Sequence, residues 1–276
     1  MKVVVVNDCA HVLEDLIPYL SERFNIEFIQ RSRGWFSKTL GVFWKILRAE
    51  GDLFHVNYAL QDAYLVDRLK HHLDILHIHG SDIRWTIHSK RYGWIVKNNL
   101  KHAKKVLYAT PDLERAVKKL RPDAIYLPTP VRTDIFKMKK HYNDPPRAIY
   151  FKCHYERLPE NLKELLKDNN ISLTVKERNI PYSLIPSVLS EFDIYIDRFT
   201  IPSFSKTCLE AMSCGLATID YRHKTNLPER TAFLSDISNV KETGKQNRKF
   251  ILEKHDAKKV AEMLAEIWEE TQKLTR

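Results

Sequence analysis

Between Phe204 and Ile219 the chain reads Phe-Ser-Lys-Thr-Cys-Leu-Glu-Ala-Met-Ser-Cys-Gly-Leu-Ala-Thr-Ile, with one acid, Glu210, alone among apolar neighbours. A carboxylate carried into an apolar helix needs a partner, because an unpaired buried charge is costly. Ser203 and Ser205 suit a helix N-cap, and Gly215 suits the C′ position that closes the same helix before a strand at Leu216–Ile219. The N-terminus of a helix offers free N–H groups and the positive end of the dipole, where an acid is normally preferred. Lys206 stands there instead. A cation added to an already positive helix end is the arrangement that holds an anion such as a diphosphate, with Ser205, Lys206 and Thr207 as its contacts.

The elements that must position this helix are legible as alternation. Short apolar runs at 2–7, 26–30, 53–57, 75–79, 105–109 and 124–127 read as buried strands. Helical patterns lie between them, over about 11–23, 35–49, 60–72, 87–102 and 112–120. Near residue 140 the texture breaks into Lys137-Met-Lys-Lys140 and Asn143-Asp-Pro-Pro146, a basic, turn-rich linker. Alternation resumes with strands at 148–152, 171–176, 193–197 and 216–219, and helices at 159–168 and 182–191. A last helix over about 256–273 carries Val260, Met263, Leu264, Ile267 and Trp268 as its stripe. The expectation is an α/β protein of two Rossmann-like, doubly wound parallel-sheet domains: 1–140, and 147–276 including the last helix. Ligands of such sheets bind at the carboxyl ends of the strands.

Composition narrows the class. With 276 residues, 43% hydrophobic and 29% charged, the chain can bury two cores and is neither disordered nor fibrous. No apolar run is long enough to span a bilayer, and Asn7 and Asp8 cut short the opening Met-Lys-Val-Val-Val-Val. Four cysteines, at 9, 153, 208 and 214, show no paired metal spacing, which suits a reducing cytoplasm. The chain has neither G-x-G-x-x-G nor a Walker loop. A net charge of +10 fits an anionic partner, whether nucleotide-sugar, anionic membrane or nucleic acid, or else a hot-living source with a heavily charged surface. No nucleic-acid motif accompanies the charge, and nucleic acid is not expected as a partner.

The block ending Leu209-Glu-Ala-Met-Ser-Cys-Gly215 resembles the donor-binding signature of retaining GT-B glycosyltransferases of the glycosyltransferase-4 (group 1) type, usually written E-x7-E. Other segments resemble that family in the same order. They are Asp52-Leu-Phe-His-Val-Asn-Tyr58, Ile78-His-Gly-Ser-Asp-Ile83, Tyr108-Ala-Thr-Pro-Asp-Leu113, Leu127-Pro-Thr-Pro-Val-Arg-Thr-Asp-Ile-Phe136 and Tyr182-Ser-Leu-Ile-Pro186. The resemblance implies two domains facing across a cleft, and transfer of sugar from a nucleoside-diphosphate-sugar to a glycan or lipid-linked acceptor, with retention. It implies no metal and no cofactor. Glu210 matches the acid that grips the donor ribose. His79 matches the histidine that reaches toward the donor sugar, whereas His77 is expected on the other sheet face and in the core. Asp82 reads as a helix N-cap. The first acid of E-x7-E falls at Pro202, and Asp197 upstream is the nearest substitute. Lys152, His154 and Arg157 are the candidate diphosphate cations, Arg157 first for its forked donor and Lys206 second. Pro202 also keeps open a non-catalytic GT-B relic that binds a nucleotide or a partner glycosyltransferase.

Residues 31–48 stand apart from the donor motif. Phe36, Leu40, Phe43 and Leu47 share one helical face, Arg31, Lys38 and Lys45 oppose it, and Trp35 and Trp44 flank it. Two outcomes follow from this pattern: the stripe packs on the sheet, or it lies on an anionic membrane. The expected location is the cytoplasm, with peripheral contact at the inner membrane face in the second case.

Overall fold

The computed structural model describes residues 1–31, 40–152, 156–223 and 239–274. His154, Trp35, Phe36 and Lys38 lie outside the described residues. The chain divides into two compact units, Met1–Pro130 with Ala257–Arg276, and Val131–Asp256.

The first unit holds a six-stranded sheet ordered β2-β1-β3-β4-β5-β6. Its strands are β1 (Lys2–Val6), β2 (Asn25–Ile29), β3 (Leu53–Asn57), β4 (Ile75–Ile78), β5 (Lys105–Tyr108) and β6 (Ile125–Tyr126), all paired in parallel. On one face pack α2 (Val42–Arg48), α3 (Gln61–Lys70), α5 (Gly93–His102) and α6 (Glu114–Leu120), through Val42, Ile46, Ala63, Val66, Val96, Leu100 and Val117. On the other pack the short α1 (Ile17–Leu20) and a long terminal helix, α11 (Ala257–Lys273). The short α4 (Ser81–Arg84) follows β4.

The second unit has a parallel sheet ordered β10-β9-β7-β8, from β7 (Arg147–Phe151), β8 (Ser172–Lys176), β9 (Ile194–Ile196) and β10 (Ala217–Ile219). Its helices are α7 (Glu160–Asp168), α8 (Ile185–Ser190), α9 (Lys206–Ser213) and α10 (Val240–Lys254). The parallel α/β organisation of both units is the one the alternation implied.

Two expectations about domain limits change. The terminal helix, expected in the second domain, packs in the first. Val260, Ala261, Leu264, Ile267 and Trp268 join Val3, Val5, Leu53, Ile75 and Phe24 in one core, while Met263 from the expected stripe is exposed. The segment expected as a loose linker near 140 belongs to the second unit: Lys139 is buried against Asp193 (2.6 Å), which also accepts from the Asn143 amide and the Arg147 backbone N–H. That bonding draws Asp193 to the ionised form, below its ordinary range.

α9 keeps the boundaries its sequence announced. The Ser205 Oγ accepts from the Cys208 N–H (3.1 Å), and Gly215 takes φ +81° just beyond the helix. The Gly215 N–H reaches the Met212 carbonyl and the Leu216 N–H the Ala211 carbonyl, the paired bonds of a Schellman close. α10 lies against this close. A Cβ on Gly244 would meet the Gly215 carbonyl oxygen at 2.0 Å, so only glycine allows the approach.

Candidate active site

In a sheet ordered β10-β9-β7-β8 the chain reverses direction of travel between β7 and β9, and their carboxyl ends form the switch point where such sheets bind ligands. β7 ends into Lys152, and β9 ends into Asp197 and Arg198. Asp197 is buried, with Oδ2 accepting from the Ser205 N–H (2.8 Å) and Oδ1 without a partner among the described residues. Burial raises its pKa, and the hydrogen bonds from Ser205 oppose the rise. Asp197 thus ties the strand end to the N-cap of α9. The loop between them is pinned again by Glu156, whose carboxylate accepts from the Phe199 and Thr200 N–H groups and the Thr200 hydroxyl. Pro202 lies exposed in this loop.

On α9 itself Glu210 is 1% exposed. Its Oε1 accepts from the Tyr182 hydroxyl (2.9 Å), and the Lys206 ammonium stands 3.7 Å away, one turn earlier. The lone acid therefore has the partners its burial demanded. Ser205, Lys206, Glu210 and Asp197 converge at the start of α9, and Thr207 is half-buried beside them. Lys152 lies at the neighbouring strand end, exposed and paired with Glu177. Arg157 is exposed.

Sequence reasoning missed Arg198 as a member of this group, and it read Tyr182 only as the opening of the Tyr182–Pro186 motif, without its bond to Glu210. Arg198 directs Nη2 to the Ser203 carbonyl and hydroxyl oxygens, at the 3.4 Å limit of a hydrogen bond, and leaves a buried Nε without a partner among the described residues. A forked cation so weakly engaged at a strand end suits a phosphate better than an exposed Arg157 does. Its signal was position: it follows the last residue of a buried strand, next to an acid.

The first unit has its own switch point, between β1 and β3. A cavity of about 520 Å³ opens there, lined by Asn7, Asp8, His11, Arg31, Tyr58 and Asp62 among others. Four residues on its wall hold left-handed backbone without being glycine: Asn7 (φ 60°), Ala10 (51°), His11 (61°) and Tyr58 (68°). Such conformations gather at functional sites, where the surrounding structure must hold them. Here Asp8 accepts from the Cys9, Leu13 and Glu14 N–H groups. Arg31 clamps Asp62 through Nε (2.9 Å) and Nη2 (2.7 Å), and the Asn57 amide donates to the Asn7 carbonyl (2.8 Å). Burial still pushes Asp8 up.

His79 follows β4 directly and is half-buried, its Nε2 2.7 Å from the Asn57 Oδ1. Since the Asn57 amide nitrogen already donates to Asn7, its oxygen must accept, so His79 carries its proton on Nε2 and a lone pair on Nδ1. Desolvation lowers its pKa well below the usual imidazole range, keeping it neutral at pH 7. Asp82 is not the N-cap expected of it: Gly80 holds that position, and Asp82 stands inside α4. Its carboxylate accepts from the Gly80, Ile83 and Ala59 N–H groups, and burial raises its pKa.

His77 corrects one expectation. It is a core residue, but its ring lies 4.3 Å from that of His79, because residues two apart along a strand share one sheet face and do not point to opposite ones. A file of aromatic rings runs from Trp268 through His55 and His77 to His79, with the Trp268 Nε1–H donating to the His55 Nδ1 (3.1 Å). Burial holds His55 down to about 3 and His77 well below its ordinary value.

No family model and no curated protein matches the chain. Solved structures do. Sucrose-phosphate synthase from Thermosynechococcus elongatus aligns over 98% of both chains at TM-score 0.67 and 9% identity. The catalytic domain of starch synthase IV from Arabidopsis thaliana, bound to ADP and acarbose, aligns over 99% of both chains at TM-score 0.62 and 10% identity. An α,α-trehalose-phosphate synthase (UDP-forming) from Burkholderia vietnamiensis aligns over 100% of both chains at TM-score 0.58 and 7% identity. These neighbours are GT-B glycosyltransferases, and the chain has their fold.

Proposed function

We propose that the protein transfers a sugar from a nucleoside-diphosphate-sugar to a glycan or lipid-linked hydroxyl acceptor, with retention and without a metal. The observation that carries this reading is Glu210: a carboxylate 1% exposed on α9, one turn from Lys206 at a capped helix N-terminus. The donor ribose exchanges with Tyr182 or Lys206 for the Glu210 oxygens, each charged hydrogen bond contributing about 1.5–3 kcal/mol. Charge develops on the diphosphate as the glycosidic bond breaks, and the α9 N-terminus, Lys206 and Arg198 are preorganised to receive it. Lys152 and Arg157 add outer positive charge. Asp197 holds the cap in place, and His79, neutral, is the histidine the family resemblance assigns to the transferred sugar. The acceptor hydroxyls are held by the acids and amides of the first unit's cavity. The site of action is cytoplasmic, with peripheral attachment to anionic membrane through residues 31–48.

Pro202 supports a second reading, a GT-B relic that binds nucleotide without turnover. Incubation with UDP-, ADP- and GDP-sugars, followed by detection of released nucleoside diphosphate, separates the two. Release that falls in Glu210→Ala and rises or persists in Pro202→Glu supports transfer. Tight nucleotide binding without release from any donor, in the parent and in Pro202→Glu, supports the relic.

A further inference from the structure

The segment from Ile83 to Pro111 contains no aspartate or glutamate, yet carries Arg84, Lys90, Arg91, Lys97, Lys101, Lys104 and Lys105. Three of these are engaged: Arg84 with Asp112, Lys104 with Asp74 and Lys105 with Glu270. The other four, Lys90, Arg91, Lys97 and Lys101, are exposed and have no carboxylate partner among the described residues. Along α5 the buried positions are Gly93, Ile95, Val96, Asn99 and Leu100, so Trp94, Lys97 and Lys101 form the outward stripe. Trp94 is 54% exposed, and Trp85 beside the same turn is 53% exposed.

The neighbouring helices continue this surface. The Trp94 ring meets Tyr64 of α3, over which Arg68 lies at 5.1 Å. α2 buries Val42 and Ile46 and turns Trp44 and Leu47 outward, with Arg48 over the Trp44 ring, and Leu40 just before it is exposed as well. The stripe that could have packed on the sheet is therefore exposed at Leu40 and Leu47. α2, α3 and α5 share one face of the sheet, so these residues belong to one outer surface. The opposite face differs: α11 sets Glu262, Glu266, Glu269 and Glu270 beside Lys258, Lys259 and Lys273 on its solvent side, so its charges are mixed, and it has no exposed tryptophan.

We infer that the outer surface of α2, α3 and α5 is a docking face for an anionic lipid bilayer. Tryptophans with a polar tip and an apolar body belong at the water–lipid boundary, and exposed leucines beside them enter the acyl edge. A nucleic acid or acidic glycan would use the cations and tryptophans but has nothing to offer Leu40 and Leu47. Unpaired lysines and arginines near a bilayer surface strengthen attachment about fivefold each. This extends the peripheral attachment proposed above to α3 and α5, and it stands whether or not the donor reading does.

Co-sedimentation of the full chain with vesicles tests it. Vesicles of phosphatidylglycerol and phosphatidylcholine should bind the protein, pure phosphatidylcholine at least tenfold more weakly, and added salt should weaken the former. Lys97→Glu with Lys101→Glu should weaken anionic-vesicle binding about 25-fold or more. Trp44→Ser with Trp94→Ser should weaken it while leaving net charge unchanged. Lys258→Glu with Lys259→Glu, the same charge change on α11, should leave it close to the parent. All three substituted pairs are exposed, and far-ultraviolet circular dichroism with thermal melting of each serves as the control for folding. Equal loss from the α11 pair, retained binding by the α5 pair, or no loss on removing the tryptophans overturns the inference. Tighter binding to heparin or RNA than to anionic vesicles overturns it too, assigning the face to a polyanion.

Discussion

At the scale of single residues, the account turns on how a buried acid is used. Glu210 accepts from Tyr182 and lies against Lys206, so it is neither an orphan nor idle. Tyr182→Phe removes one donor from a buried carboxylate and should cost about 1.5–3 kcal/mol of stability in the free protein. The ligand then supplies the missing donor, so the melting-temperature gain on adding a nucleoside diphosphate should be larger than in the parent. A smaller gain would place the Tyr182 hydroxyl on the ligand instead. His79→Ala should leave nucleoside-diphosphate affinity within a few-fold while reducing turnover at least tenfold, because the ring is assigned to the sugar and not to the nucleotide. Calorimetry and a turnover assay on one preparation check both halves. Glu210, Lys206 and Ser205 were legible because the residue types conflict with an ordinary helix start. Arg198 was not, and Tyr182 was legible only as part of a motif, since their contacts with Ser203 and Glu210 come from the fold and not from local pattern.

Among the elements, α9 was readable because a capping serine and a closing glycine bounded it, and the structure chooses Ser205 over Ser203 as the cap. α10 was not anticipated, and its buried residues explain why. They are Gly244, Asn247 and Ile251, at correct helical spacing but with a glycine and an amide where apolar side chains would announce a core face. Gly244 is there for the Gly215 carbonyl, and the Asn247 amide donates to the Leu216 carbonyl (2.8 Å). Arg248 adds bonds to the Ser213 carbonyl and hydroxyl, clamping the end of α9. Gly244→Ala should therefore destabilise by about 1–3 kcal/mol, although alanine is the better helix former. Urea unfolding would show it, and a stabilised variant would contradict the close approach. Backbone strain around the first unit's cavity was equally hidden, because Ala10, His11 and Tyr58 carry no sequence mark of left-handed backbone.

For the whole molecule, the α/β class with two parallel sheets followed from alternation, but the return of the last helix to the first unit did not. Its stripe says only that it packs, and the partner is fixed by Trp268 meeting His55 and the β1 valines. The file of three histidines makes acid sensitivity a global property. His55, His77 and His79 stay neutral in the folded state, while in the unfolded chain each binds a proton below about pH 6.5. The unfolded state then holds more protons, so stability is complete above that pH and falls as pH drops toward 3. With all three rings contributing, the slope approaches about 4 kcal/mol per pH unit. Asp8, Asp82 and Asp197 act in the opposite sense, since their raised values let the folded state keep protons just above the ordinary carboxylate range. Urea melts at pH 7 and pH 5.5 should differ by clearly more than 1 kcal/mol, and His77→Phe should flatten the dependence by about one proton. Equal stability at the two pH values would contradict the neutral file.

The central claim is that the start of α9 binds a nucleoside diphosphate through Glu210. Isothermal titration of UDP, ADP and GDP into the parent and into Glu210→Ala measures it directly, with far-ultraviolet circular dichroism to show that both are folded. The account predicts saturable binding of at least one of the three by the parent, and a loss of about tenfold or more in Glu210→Ala. A folded Glu210→Ala protein that binds that same nucleotide as tightly as the parent would contradict it.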